Sequence, residues 1–126
     1  MFANTRAFSG FAVDDVPKAK AFYETTLGLK VSEQMGLLVL HLAGDRDTIV
    51  YPKPDFTPAT YTILNFPVDD IDEAVGQLTE RGVSFERYDG FDQDEKGISR
   101  MTDGPPIAWF KDPAGNILAV LEDAGS

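Results

Sequence analysis

Val13-Asp14-Asp15-Val16 returns 55 residues later as Val68-Asp69-Asp70-Ile71, and the same grammar surrounds both copies. A short apolar run precedes each, Ala7–Val13 in the first and Tyr61–Val68 in the second. Both read as strands. A helix follows, with Asp15 and Asp70 placed to accept from the free amides of its first turn. Pro17 falls in that turn, where its missing N–H costs nothing. Val16, Ala19, Phe22, Tyr23 and Thr26 line one helical stripe, as do Ile71, Ala74, Val75 and Leu78 in the second copy. Gly28 and Gly82 end the helices, and Leu29–Glu33 or Val83–Arg87 reads as the next strand. Aspartate pairs could suggest a catalytic dyad. Found twice at helix starts, they are caps.

Two more strands complete each copy. Leu37–Leu42 and Thr48–Tyr51 do so in the first, joined by Ala43-Gly44-Asp45-Arg46-Asp47. Ile107–Lys111 and Ile117–Leu121 do so in the second. Their connection, Asp112-Pro113-Ala114-Gly115-Asn116, has the composition of a tight turn. Pro52, Pro54 and Pro58 stiffen the link between copies. Tyr88 to Pro106 is irregular and acidic, with one short strand expected near Ile98–Met101. The chain therefore reads as an α+β fold of two βαβββ modules: about 6–51, a connector over 52–58, and about 59–122.

With 126 residues, 43% of them hydrophobic, the chain suffices for one domain with a real core. The formal net charge of −10 opposes nucleic-acid binding, since it would repel a phosphate backbone. No run approaches the roughly 18 apolar residues of a membrane span. No cysteine is present, which removes disulfides, thiolate metal sites and thiol nucleophiles. The first residues carry no secretory pattern, so a cytoplasmic location is expected.

The duplicated unit, with Ala21-Phe22-Tyr23 on its first helix, Leu27-Gly28-Leu29 at the exit and Asp112-Pro113-x-Gly115-Asn116 in the last hairpin, resembles the vicinal oxygen chelate superfamily. That group includes glyoxalase I, extradiol dioxygenases and the bleomycin-resistance proteins. The resemblance runs from Ala7 to Glu122. It implies two modules whose curved sheets close around a small-molecule cavity, usually in a homodimer. It does not fix function, because one fold hosts several chemistries.

In the family's enzymes a divalent metal is held by His, Gln or Glu on the first and last strands of each module. The matching positions here are Phe8, Tyr51, Ile63 and Ala119. Three of these side chains have no donor atom, and a neutral phenol is a poor ligand. No metal and no cofactor is therefore expected. Asp92-x-Asp94-x-Lys96-Gly97 with Asp103 departs from a calcium loop at Lys96 and Asp103, and reads as a solvated acidic loop.

Strand alternation sorts the cavity lining. Phe8, Val39, His41, Tyr51, Ile63, Asn65, Trp109 and Ala119 are the candidate ligand-binding residues, an apolar and aromatic set with few polar points. His41 also suits a hydrogen-bonded structural role, and Trp109 a place in the core or a dimer interface. The leading expectation is a binding protein for an aromatic or cationic organic molecule, as in the bleomycin-resistance branch. A second is a metal-free enzyme resembling lactoylglutathione lyase, with His41 as base and Tyr51 as acid or oxyanion donor. A third is a structural or regulatory module whose cavity is filled by its own side chains.

Overall fold

The computed structural model describes residues 1–100 and 104–123. Two units divide the chain, Met1–Thr57 and Pro58–Ser126, and each has its own sheet. In the first unit the strands are β1 (Ser9–Val13), β2 (Lys30–Gln34), β3 (Leu37–Leu42) and β4 (Arg46–Pro52), in the order β1-β4-β3-β2. Strand β1 pairs parallel with β4, and the other pairs are antiparallel. In the second unit β5 (Thr62–Val68), β6 (Ile107–Lys111) and β7 (Ile117–Glu122) are ordered β5-β7-β6, with β5 and β7 parallel. The architecture is α+β, of two modules.

Both helices begin at the aspartates of the repeat. Helix α1 (Val16–Ala21) is capped by Asp15, whose carboxylate accepts the Lys18 amide. It runs on as a π-helical segment, Phe22–Thr26, in which the Leu27 amide reaches back to the Phe22 carbonyl. Helix α2 (Ile71–Glu80) is capped by Asp70, which accepts the Glu73 amide. A second carboxylate serves α2: Glu122 on β7 accepts the Ile71 amide across the unit.

Each helix lies on one face of its sheet, and burial follows that face. In the first unit Ala19 and Tyr23 are buried with Val13, Leu38, Leu40, Thr48 and Val50. Phe11 meets the Tyr23 ring at 5.8 Å. In the second, Ile71 and Val75 are buried with Ala108, Phe110, Leu118 and Val120, and Phe85 packs edge-on against Phe110 at 5.7 Å. The hairpin between β6 and β7 is closed by Asp112, itself buried. Its carboxylate accepts from the Ala114 and Asn116 amides and from the Asn116 side chain. Gly115 has φ of 94°, and a Cβ there would meet Pro58 at 3.3 Å. Both the left-handed backbone and the crowding select glycine.

Four expectations need correction. Strand β1 starts at Ser9, leaving Ala7 and Phe8 ahead of it. Strand β4 starts at Arg46, two residues early, because the Leu42–Arg46 pairing extends the hairpin through a three-residue turn with Gly44 and Asp45 at positive φ. Val83–Arg87 does not form a strand; only Phe85 bridges β6, at Phe110. The short strand expected at Ile98–Met101 is reduced to bridges from Ser99 to Gln93 and Ile107, and Met101 and Asp103 lie outside the described residues.

The capping reading is directly testable. Asp70→Ala should lose about 1 kcal/mol of stability, read from the urea midpoint at unchanged slope. A larger loss that also abolished ligand binding would give the aspartate a further role.

Candidate functional site

Most of the candidate residues lie on the face of each sheet turned away from its helix. In the second unit the register joins Asn65 to Ala119 and Ala119 to Trp109. Because Glu122 reaches α2, alternation turns Ile117, Ala119 and Leu121 to the opposite side, with Trp109. Ala119 is fully buried. Asn65 is exposed, so its amide is open to solvent.

Over this face lies the irregular segment that follows α2. Phe91 approaches the Trp109 ring at 4.9 Å, and Tyr88 meets it edge-on at 5.5 Å. These three rings, with Thr60, Tyr61, Thr62 and Ile117, line a cavity of about 240 Å³. Gln93 ties the segment down. Its carbonyl oxygen accepts the Tyr88 amide at 2.8 Å, and its NH₂ donates to the Glu86 and Gly97 carbonyls at 2.9 and 2.8 Å. The Glu86 amide donates to the Trp109 carbonyl. Asp72 on α2 accepts from Lys96 and Arg100, and hydrogen bonds from these two cations hold its carboxyl below the usual range. The Tyr88 hydroxyl is buried without a partner among the described residues. Burial, with the nearby Glu86 charge, raises its pKa, so it stays a neutral phenol at physiological pH.

The acidic loop is occupied by its own backbone. Asp94 accepts the Lys96 and Ile98 amides through one oxygen, and its other oxygen faces Arg100 at 3.5 Å. This is a closed turn with a cation against it. Among the described residues no group of three or more His, Asp or Glu side chains is arranged to hold a metal ion. The positions where the family's enzymes carry ligands do not fit one, since Phe8, Ile63 and Ala119 offer no donor atom.

In the first unit the corresponding face carries Gly10, Ile49, Tyr51, Val39 and His41. Val39 is buried, 5% exposed, and paired with Ile49. Tyr51 is 41% exposed and lies beside Gly10. Phe8 is 69% exposed. His41 is held from both sides: Ser32 Oγ lies 2.6 Å from Nε2, and Asp47 Oδ1 lies 3.1 Å from Nδ1.

Two readings of the sequence fail here. His41 is opposite Asp47, four residues from Tyr51 along β4, so about 13 Å separates the two positions along the strand. They cannot serve one reacting centre as base and acid. Ile63 sits in a β-bulge: Thr62 pairs with Ile117 and Leu64 with Leu118, so Ile63 has no partner on β7. Simple alternation from Asn65 back to Ile63 and Tyr61 therefore breaks at this residue. Sequence reasoning also missed Tyr88, Phe91 and Thr62 around Trp109, and Ser32 and Asp47 around His41. The signals were two aromatics three apart in an acidic stretch, and the alternation of β2.

A family model described as Glyoxalase/Bleomycin resistance protein/Dioxygenase superfamily matches residues 7–120. Among curated proteins no relative matches the chain. Similar solved structures include a member of that superfamily from Sphaerobacter thermophilus, 26% identical with a TM-score of 0.69, covering 93% of this chain and 97% of that one. The fosfomycin resistance protein FosX from Listeria monocytogenes is 14% identical with a TM-score of 0.71, covering 93% and 91%. TnmS3, an antibiotic binding protein from a Streptomyces species, is 24% identical with a TM-score of 0.68, covering 94% and 97%.

Removing the Gln93 tie should open the aromatic cluster. Gln93→Ala leaves an amide and two carbonyls without their partner and should cost about 1–3 kcal/mol of stability. Trp109 emission should shift to the red in the folded variant. An unchanged spectrum would show that the segment is held over Trp109 by other means.

Proposed function

The chain belongs to the Glyoxalase/Bleomycin resistance protein/Dioxygenase superfamily, and we propose that its task is to bind a small, flat or cationic organic molecule on the aromatic cavity of its second module. The observation that carries this reading is Trp109, half-buried, flanked by Phe91 and Tyr88, and lining a cavity rather than a filled core. Aromatic faces attract flat rings and cations through their quadrupole. The net charge of −10 favours the approach of cations. The family's fold is one that an antibiotic-binding protein also uses.

Size narrows the ligand. A cavity of about 240 Å³ falls below the range of roughly 300–1,000 Å³ that encloses drug-sized molecules. One or two fused rings, or the aromatic end of a larger compound, match it. A metal-dependent reaction finds no support in the donor set at Phe8, Tyr51, Ile63 and Ala119. The pairing of His41 with Tyr51 as acid and base loses its basis in their separation.

We also propose that the protein works as a homodimer. Phe2 and Phe8 leave 75% and 69% of their surfaces exposed, an apolar area that a second copy would cover.

Titration with neutral and cationic aromatics should quench the emission of Trp109, the single tryptophan. Trp109→Ala should weaken the same ligands by about 1–3 kcal/mol, the usual worth of stacking on an aromatic anchor. Ligands that bind without sensing Trp109, or that keep their affinity without it, would remove the basis of this reading. Sedimentation at micromolar concentration should show a dimer, and a 13.8 kDa species would reject it.

A further inference from the structure

The first module holds a cluster that the binding reading leaves unused. From His41, the one histidine of the chain, Asp47 and Ser32 extend on opposite sides of the ring. A carboxylate only accepts, so Nδ1 carries the ring proton toward Asp47. Nε2 is then a lone pair, and at 2.6 Å it accepts the Ser32 hydroxyl proton. Nucleophile, base and orienting acid thus stand in the order that serine acyl transfer requires, with each link within hydrogen-bond reach.

The sheet explains why these three meet. Lys30 and Val39 are the Cα partners of His41 and Ser32, respectively, and His41 pairs in turn with Asp47 on β4. Ser32 is therefore the diagonal neighbour of His41 on one face, and Asp47 its direct neighbour on the other side. Ser32 and His41 are half-buried, and β2 is an edge strand with no strand beyond it among the described residues. An acyl group can reach Ser32 from that edge. Lys30 shares the face with Ser32 by alternation and brings a cation to the neighbourhood where an oxyanion would form.

We propose that Ser32, His41 and Asp47 form a second, catalytic site that cleaves small activated esters. Ser32 Oγ bonds to the ester carbonyl carbon while its proton passes to His41 Nε2. The tetrahedral adduct collapses, the bond to the alcohol oxygen breaks, and the alcohol leaves with the proton from His41. Water, deprotonated by the same nitrogen, then attacks the acyl-Ser32 ester, releasing the carboxylic acid and restoring the serine. Asp47 is a positioning residue throughout.

The probes are 4-nitrophenyl acetate and a fluorophosphonate, with peptide mapping of the label. Labelling is expected at Ser32, absent in Ser32→Ala, and slower by about 10²–10⁴-fold in His41→Gln. Asp47→Asn should lower the rate while leaving labelling at Ser32. Because the chain has no cysteine, Ser32→Cys introduces a single thiol whose alkylation by iodoacetamide reads the base directly. Its apparent pKa should fall below the ordinary value of about 8.5 and return toward it when His41→Gln is added. Ester cleavage that persists in Ser32→Ala would mean direct acylation of the histidine and would overturn the proposal. An ordinary thiol pKa in Ser32→Cys would overturn it equally. Ligand binding at Trp109 is read by a separate fluorescence titration, so the two readings fail separately.

Discussion

Parallel pairing of the first and last strands of each module is the constraint on which the rest depends. Parallel neighbours cannot be joined by a tight turn, so the chain must leave the sheet and return. Here it leaves through an aspartate-capped helix, at Asp15 and again at Asp70. The last strand then slots beside the first, β4 against β1 and β7 against β5. That insertion makes β4 and β7 interior strands, and one side of each is sealed by the helix. Val50 and Thr48, like Leu118 and Val120, are buried as a result. Which side chains are left on the opposite face follows from parity alone. Trp109 and His41 are there because they alternate with residues the helices cover.

Much of this was legible from the residues. The repeated Val-Asp-Asp element located both strand-to-helix junctions, because a cap must sit where the free amides are. Asp112 to Asn116 was legible as a turn for the same reason, its carboxylate having backbone donors within reach. What escaped was non-local. A bulge at Ile63 leaves no mark in hydrophobic alternation, since an extra residue changes register without changing composition. The earlier start of β4 depends on Leu42 finding Arg46, a pairing that polar, turn-like residues disguise. Val83–Arg87 has a strand's composition, but only Phe85 pairs with β6. Tyr88 and Phe91 were hidden by the aspartates around them, although the rings, not the charges, reach Trp109.

The two modules share their helix-side faces far more closely than their open faces. Packing against a helix demands apolar residues of set volume, so both copies keep aliphatic and aromatic side chains there. The open faces are only partly packed and differ in chemistry. One carries hydroxyl, imidazole and carboxylate in hydrogen-bonded sequence, and the other carries clustered rings. A duplicated unit has in this way produced two surfaces of different chemistry on one scaffold.

In the second module the place that β2 holds in the first is taken by a single bridge at Phe85 and, farther along, by bridges at Ser99. Between them the chain is fastened mainly by side-chain hydrogen bonds from Gln93 and Asp94 to nearby backbone groups. Such a stretch can be exchanged as a panel. Replacing residues 86–97 would leave the three-strand ladder in place and give up the Lys96–Asp72 pair on α2, while recasting the wall that faces Trp109. Selection for a new ligand could act there while the capped helix and the paired strands stay as they are.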